Sequence, residues 1–282
     1  MNRLGLLYLS FAGLLTFAVA SYWFGLGGEG NNELFKNIVY LAAPFFAVVG
    51  GLYTLKVYGL RDASGCSYLY LVLGLMFYFI GEVLWVYYDF VAHTNPYPSI
   101  ADYFYLGAYP AFFTGLMSQV RTSAIDWKKF DPVIVFLFCI IAVMLAGTSI
   151  YFGVVLAYDP TSTALENTIA IAYGLADCVI ILCALLVLVL AWEFKGGNLM
   201  RLYLYCFFAF VMAMIADVGF AMYNQEYVMG SWWMKNTLDT LWIMQYLYFG
   251  VAFFSFGLSL KVVQERLQQM LPRPTKLPKP LP

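Results

Sequence analysis

Charge is the scarcest commodity in this 282-residue chain: Asp, Glu, Lys and Arg make up 11% of it, where a water-soluble domain carries about 25%. So few charges cannot cover a water-facing surface. Histidine is scarcer still, with His93 alone, so bis-His haem and the common zinc hydrolase patterns are excluded. The 15 basic and 16 acidic residues nearly cancel to a formal net charge of −1, leaving no basic face for nucleic acid. The five cysteines are scattered, and Cys139, Cys178, Cys183 and Cys206 fall inside apolar runs. That placement fits small apolar fillers better than a disulfide-stapled secreted fold. What abounds is hydrophobic residues, 63% of the chain, and aromatic ones, 20%. The composition predicts an all-α, polytopic membrane bundle.

A bilayer core of about 30 Å needs about 20 apolar residues per helix. Eight such runs are present: Leu4 to Phe24, Phe35 to Tyr58, Tyr68 to Phe90, Tyr103 to Val120, Val133 to Leu156, Asn167 to Phe194, Leu202 to Tyr223 and Leu238 to Val262. Turn-forming breaks separate them, among them Asp62-Ala63-Ser64-Gly65, Asn95-Pro96-Tyr97-Pro98, Asp131-Pro132 and Asp159-Pro160. Arg3 followed by Ala18-Val19-Ala20 imitates a cleaved signal peptide, but the length of the first run favours a retained helix. An eight-span arrangement puts 13 Lys and Arg on one side, from Arg3 to Lys279, and only Lys36 and Lys235 on the other. The positive-inside rule then predicts cytoplasmic termini in a multi-pass protein of the cell (plasma) membrane.

The most informative pattern is a repeat. Tyr68-Leu69-Tyr70-Leu71, Ile80-Gly81-Glu82-Val83 and Tyr88-Asp89 match Tyr203-Leu204-Tyr205-Cys206, Ile215-Ala216-Asp217-Val218 and Tyr223-Asn224 at a constant offset of 135. Beyond the next loop Asp102 pairs with Asp239, Tyr105 with Trp242 and Tyr109 with Tyr246, at an offset of 137. Acids are rare in such runs, and here they coincide twice. The expectation is eight transmembrane helices in two parallel four-helix repeats, 1–122 and 131–262, followed by a short cytoplasmic helix end and Pro-rich tail, 263–282. In that last stretch Leu260, Val263, Leu267 and Met270 keep a spacing that would form a short apolar seam before Pro272.

Glu82 lies about 12 Å inside the outer end of its run, at 1.5 Å per residue, and Asp217 and Asp177 fall near the same level. No Lys or Arg occupies a run interior to balance them. A carboxylate at mid-bilayer costs at least about 2.5–3.5 kcal/mol, so these acids must face the bundle and be neutralised there. Protonated acids bonded to tyrosines as structural glue, a bound ligand or cation, and a proton pathway all satisfy that requirement. Asp102 and Asp239 each stand three residues after a capping residue, Ser99 and Asn236, which is the capping-box spacing. His93 reads as a solvated loop residue, and Trp232, Trp233, Tyr97, Tyr103 and Tyr105 as an interfacial belt. The candidate ligand-binding set is Glu82, Asp102, Asp177, Asp217 and Asp239, with Tyr109 and Tyr246 as aromatic or hydroxyl partners.

The stretch Pro96-Tyr97-Pro98-Ser99-Ile100-Ala101-Asp102, continuing through Tyr105-Leu106 to Tyr109-Pro110, resembles a known pattern. It is similar to the multi-helix membrane sensor regions found ahead of GGDEF diguanylate cyclase, PAS and histidine-kinase modules in bacteria and archaea. The similarity is strongest from Gly81 to Gly115 and covers the membrane part alone, since only residues 263–282 follow the eighth run. It implies a sensory role and brings neither a ligand nor a catalytic residue. There is no Gly-x-Gly-Asp around Asp217, no Ser-His pair, no metal cluster and no phosphate loop, so no enzyme and no particular cofactor is expected. A sensor-like module binding a small ligand or cation explains the pattern; a transporter built from parallel repeats, or a non-catalytic subunit of a membrane complex, stands as the alternative. The partners expected are membrane lipid, that ligand, and a second copy or a signalling protein.

Overall fold

The structure is a computed structural model that describes residues 3–122, 131–192 and 196–270. Among the described residues it is all helix, with eight α-helices and no strand. They are α1 (Arg3–Trp23), α2 (Gly28–Tyr58), α3 (Ala63–Val86), α4 (Ile100–Thr122), α5 (Pro132–Ile150), α6 (Ala164–Ala191), α7 (Asn198–Val228) and α8 (Trp232–Met270). Single π turns, Tyr87–Val91 and Tyr151–Val155, extend α3 and α5.

Every one of these helices except α4 is long and apolar enough to cross a membrane, which gives seven candidate spans. With 23 residues α4 reaches about 35 Å. Its apolarity is diluted by Tyr103, Tyr105, Tyr109, Pro110 and Gln119. Of these Tyr109 and Gln119 are buried against neighbouring helices, as is Asp102 in the first turn, while Tyr103 and Pro110 stay exposed.

The breaks work as their chemistry dictates. Asp62 caps α3 by accepting from the Gly65 N–H at 2.7 Å, and Asp131 caps α5 through the Val133 N–H at 2.9 Å with Pro132 next to it. Thr163 and Glu166 form a reciprocal capping box at the start of α6. Helix ends extend further than the apolar runs, because polar residues continue a helix past the apolar stretch. Thus α2 begins at Gly28, and α8 starts at Trp232, just after Gly230 has turned the chain with φ 78°. The Asn236 to Asp239 spacing is therefore no helix start: Asp239 sits in the interior of α8, and Lys235, expected in the loop, is on the helix too. Val263, Leu267 and Met270 lie on the exposed end of α8. The Pro-rich tail from 271 on, and Lys128, Lys129, Lys195, Arg273, Lys276 and Lys279 of the charge argument, lie outside the described residues.

Six helices close a ring in the order α2, α3, α4, α6, α7, α8, while α1 packs outside on α8 and α2, and α5 outside on α6. Small residues let the ring tighten: a Cβ on Gly74 would fall 2.5 Å from the Phe112 ring, and one on Gly81 would fall 2.6 Å from the Tyr105 ring. The core is aromatic. Phe112 and Phe249 stack with centroids 5.9 Å apart, and Phe210 meets both edge-on at 5.2 and 5.0 Å. At one end of the bundle Arg3 lies 3.5 Å from Glu265; at the other, Lys235 pairs with Asp89 at 3.1 Å and Trp23 packs edge-on against Trp232 and Trp233.

Candidate functional site

Inside the ring, toward the end that carries loop 92–99, the acids meet hydroxyl and indole donors. Glu82 on α3 is 2% exposed and accepts two hydrogen bonds, from the Tyr105 hydroxyl at 2.8 Å and the Tyr246 hydroxyl at 2.5 Å. Asp217 on α7 also accepts two, from the Trp242 indole N–H at 2.8 Å and the Tyr109 hydroxyl at 3.3 Å. The same Tyr109 hydroxyl lies 2.6 Å from Asp177 of α6, so it bridges two carboxyls. Two acids on one hydroxyl cannot both be satisfied by it, since it has one proton to donate. Indeed Asp177 Oδ2 is buried with no partner.

Asp102 stands at the start of α4, where its carboxylate accepts from the Ser99 N–H at 2.7 Å and from the Tyr173 hydroxyl at 3.0 Å. Its capping role is therefore real and coexists with a contact to α6. Asp239 accepts from Tyr227 at 2.7 Å.

These groups do not all share one space. A cavity of about 70 Å³ is lined by Glu82, Asp102, Asp217 and Tyr246 of the candidate set, with Tyr105, Tyr173 and Trp242. Tyr109 and Asp177 lie behind that lining, joined to it through Asp217, while Asp239 lies outside it. Tyr105 and Tyr97, read from the sequence as belt residues, are inside: Tyr105 holds Glu82, and Tyr97 is only 7% exposed. Trp232, Trp233 and Tyr103 are exposed, as a belt requires, and His93 is an exposed loop residue with φ 52°.

Tyr97 lines the cavity and also a wider polar pocket of about 350 Å³ between the start of α6, the end of α7 and the loop that joins α5 to α6. Its hydroxyl donates to the Glu166 carbonyl at 3.1 Å, and its ring packs edge-on against Phe220 at 5.1 Å. Burial, then the charges of Asp102 and Glu166, push its phenol above the ordinary range. Asp159, at the rim of the wider pocket, is held below the usual carboxylate range by the hydroxyl and N–H of Thr161.

Sequence reasoning missed Tyr173, Tyr227 and Gln245. Gln245 is 2% exposed and lines the cavity, and it is the one amide in the run from Leu238 to Val262, which is the signal that could have singled it out. Among the described residues no three His, Cys, Asp or Glu side chains come together as a metal cage. No family model, no curated protein and no solved structure matches the chain.

Proposed function

We propose that this is an eight-span sensor-like module of the cell membrane that binds a small ligand in the acid-lined cavity, with its termini cytoplasmic and the cavity opening outward past Tyr97. The observation that carries the reading is how the two central acids are held. Glu82 is gripped by Tyr105 from residues 1–122 and by Tyr246 from 131–262, and Asp217 by Trp242 and Tyr109 in the mirror sense. Each acid thus has one donor from each half, and the donors are the very residues that match at the offset of 137. Phe112 and Phe249, which stack on each other, match at the same offset. The packing order supports two parallel halves as well. Exchanging α1–α4 for α5–α8 turns α3 on α4 into α7 on α8, α2 on α3 into α6 on α7, and α2 on α8 into α6 on α4. The length of α4 and its place inside the ring support counting it as the eighth span, since a helix shielded by protein needs less apolar surface than one facing lipid. Among the described residues Arg3, Lys56, Arg61, Arg121, Arg201, Lys261 and Arg266 gather at the end away from the cavity, and only Lys36 and Lys235 at the other, which supports the orientation.

A ligand that competes for either acid would loosen the grip of one half on the other. It can shift the two arrangements only by the difference in its affinity for them. A transporter would favour helices broken at mid-membrane, whereas α2 and α4 run unbroken through Pro44 and Pro110, and the kink in α7, at Tyr223, falls near that helix's end at Val228. The test is a panel of small polar molecules scored by thermal melting in detergent, on the parent chain and on Glu82→Gln, Asp217→Asn and the double variant. A ligand at about 100 times its Kd stabilises by about 2.7 kcal/mol, and the double variant should lose that gain. If no molecule moves the parent and the variants merely unfold, the acids are structural glue and the reading falls.

A further inference from the structure

The wall of the cavity specifies what kind of molecule it can hold. This inference rests on reading the cavity as a ligand site and adds the ligand's chemistry: we propose that it takes a small organic ammonium ion. Three carboxyl groups, those of Glu82, Asp102 and Asp217, line it, and no Lys, Arg or His does. The field inside therefore favours a positive guest and repels an anion.

The second observation is independent of the acids. Gln245 lines the cavity from α8 with 2% of its surface exposed, and its Oε1 has no hydrogen-bond partner. A buried acceptor left unpaired is costly, and a turn of the Gln245 amide about its last side-chain torsion would present that acceptor to a guest that donates. The donors closest to the acids are already committed: Tyr105 and Tyr246 to Glu82, Trp242 to Asp217, Tyr173 to Asp102, with the Tyr40 hydroxyl also turned to Glu82 and that of Tyr78 to Tyr109. What those rings still offer is their faces. A guest that donates N–H bonds, carries positive charge and lies against aromatic faces is an ammonium ion.

A bare metal ion fits less well, because a hard cation wants several oxygen ligands at once and no three acids among the described residues come together as a metal cage. Size agrees with a compact amine. One water needs about 10–15 Å³, and the cavity offers about 70 Å³. The wider pocket shares Tyr97, Ala170 and Ala221 with the cavity and is lined by Asp159, Glu166 and Glu226, so the approach carries the same sign of charge.

The experiment uses the full chain in detergent, titrated with trimethylammonium chloride, with sodium chloride at equal ionic strength, and with tert-butanol as an uncharged molecule of similar size that also carries three methyl groups and one donor. Saturable melting shifts and tryptophan fluorescence changes are expected with trimethylammonium alone, and Gln245→Leu should weaken that binding at least tenfold. Ala221→Phe, which fills the cavity from the rim shared by both pockets, should abolish it and serves if Gln245→Leu does not fold. A response to tert-butanol equal to that of the ammonium ion, removed by Ala221→Phe, would overturn the charge assignment and leave the cavity a ligand site. Absence of any saturable ammonium effect, or an effect that survives both substitutions, overturns the proposal, while the broader ligand panel separately decides whether the cavity binds anything.

Discussion

At the scale of single residues the centre of this protein is a set of acids that depend on tyrosine and tryptophan rather than on bases. Glu82 receives its two short hydrogen bonds from phenols, on α4 and α8. Removing the Tyr246 hydroxyl leaves a buried carboxyl oxygen without its donor, for which about 1–3 kcal/mol is the ordinary penalty. Tyr246→Phe should therefore lower stability by that amount in a denaturation measured in detergent, and by clearly less in a Glu82→Gln background, because the two groups act as one unit. Equal losses in both backgrounds would mean that the bond contributes nothing. Much of this site could be read in the sequence, since acids inside apolar runs have few reasons to exist, and Glu82, Asp217, Tyr109 and Tyr246 stood out by type and by matched spacing. What could not be read was which hydroxyl reaches which acid. That depends on the rotation of each helix about its axis, and Tyr173, sitting in an apolar run like many other tyrosines, carries no mark of its contact with Asp102.

At the scale of elements, the apolar runs predicted helices well and their ends poorly, for one reason. Apolar length reports the part of a helix that meets lipid or core, while backbone hydrogen bonds carry the helix on through Asn, Lys and Thr until a turn stops it. Hence α8 begins at Trp232, and Asp239, which looked like a capping acid, is an interior acid bonded to Tyr227. The helix that departs most from the lipid-facing type is α4, and its seam with α3 shows how closely it is held. Ser67 donates to the Gly115 carbonyl at 2.6 Å across that seam, and Tyr105 lies over Gly81. A methyl group at position 81 would fall 2.6 Å from the Tyr105 ring and push its hydroxyl off Glu82. Gly81→Ala should then cost about 1–3 kcal/mol, as overpacking of a tight core does, even though alanine is the better helix former by about 1 kcal/mol. A melting temperature at or above the parent's would show that the seam yields freely.

At the scale of the whole molecule, the proposed repeats divide the chain into 1–122 and 131–262. Each half brings a three-helix arc to the ring and leaves one helix, α1 or α5, on the outside. The arcs meet along two seams. On one, Thr54 of α2 donates to the Phe253 carbonyl of α8 at 2.6 Å; on the other, Tyr173 of α6 reaches Asp102 of α4, and Tyr109 of α4 reaches Asp177 of α6. Separating the arcs would expose these groups and leave Glu82 and Asp217 with one donor each. In hydrocarbon an unpaired polar group costs several kcal/mol, because lipid offers no substitute partner. The covalent link between 122 and 131 is then a minor part of what holds the halves together. A protease site placed there and cut in the folded, detergent-solubilised chain should leave 1–122 and the remainder co-eluting as one particle with nearly the parent's melting temperature. Adding Glu82→Gln and Asp217→Asn should make the cut halves come apart more readily than the cut parent, because the shared donors then bond to weaker acceptors. If the cut parent separates at once, the halves are joined by the chain and by lipid, and the paired acids play no part in binding one to the other.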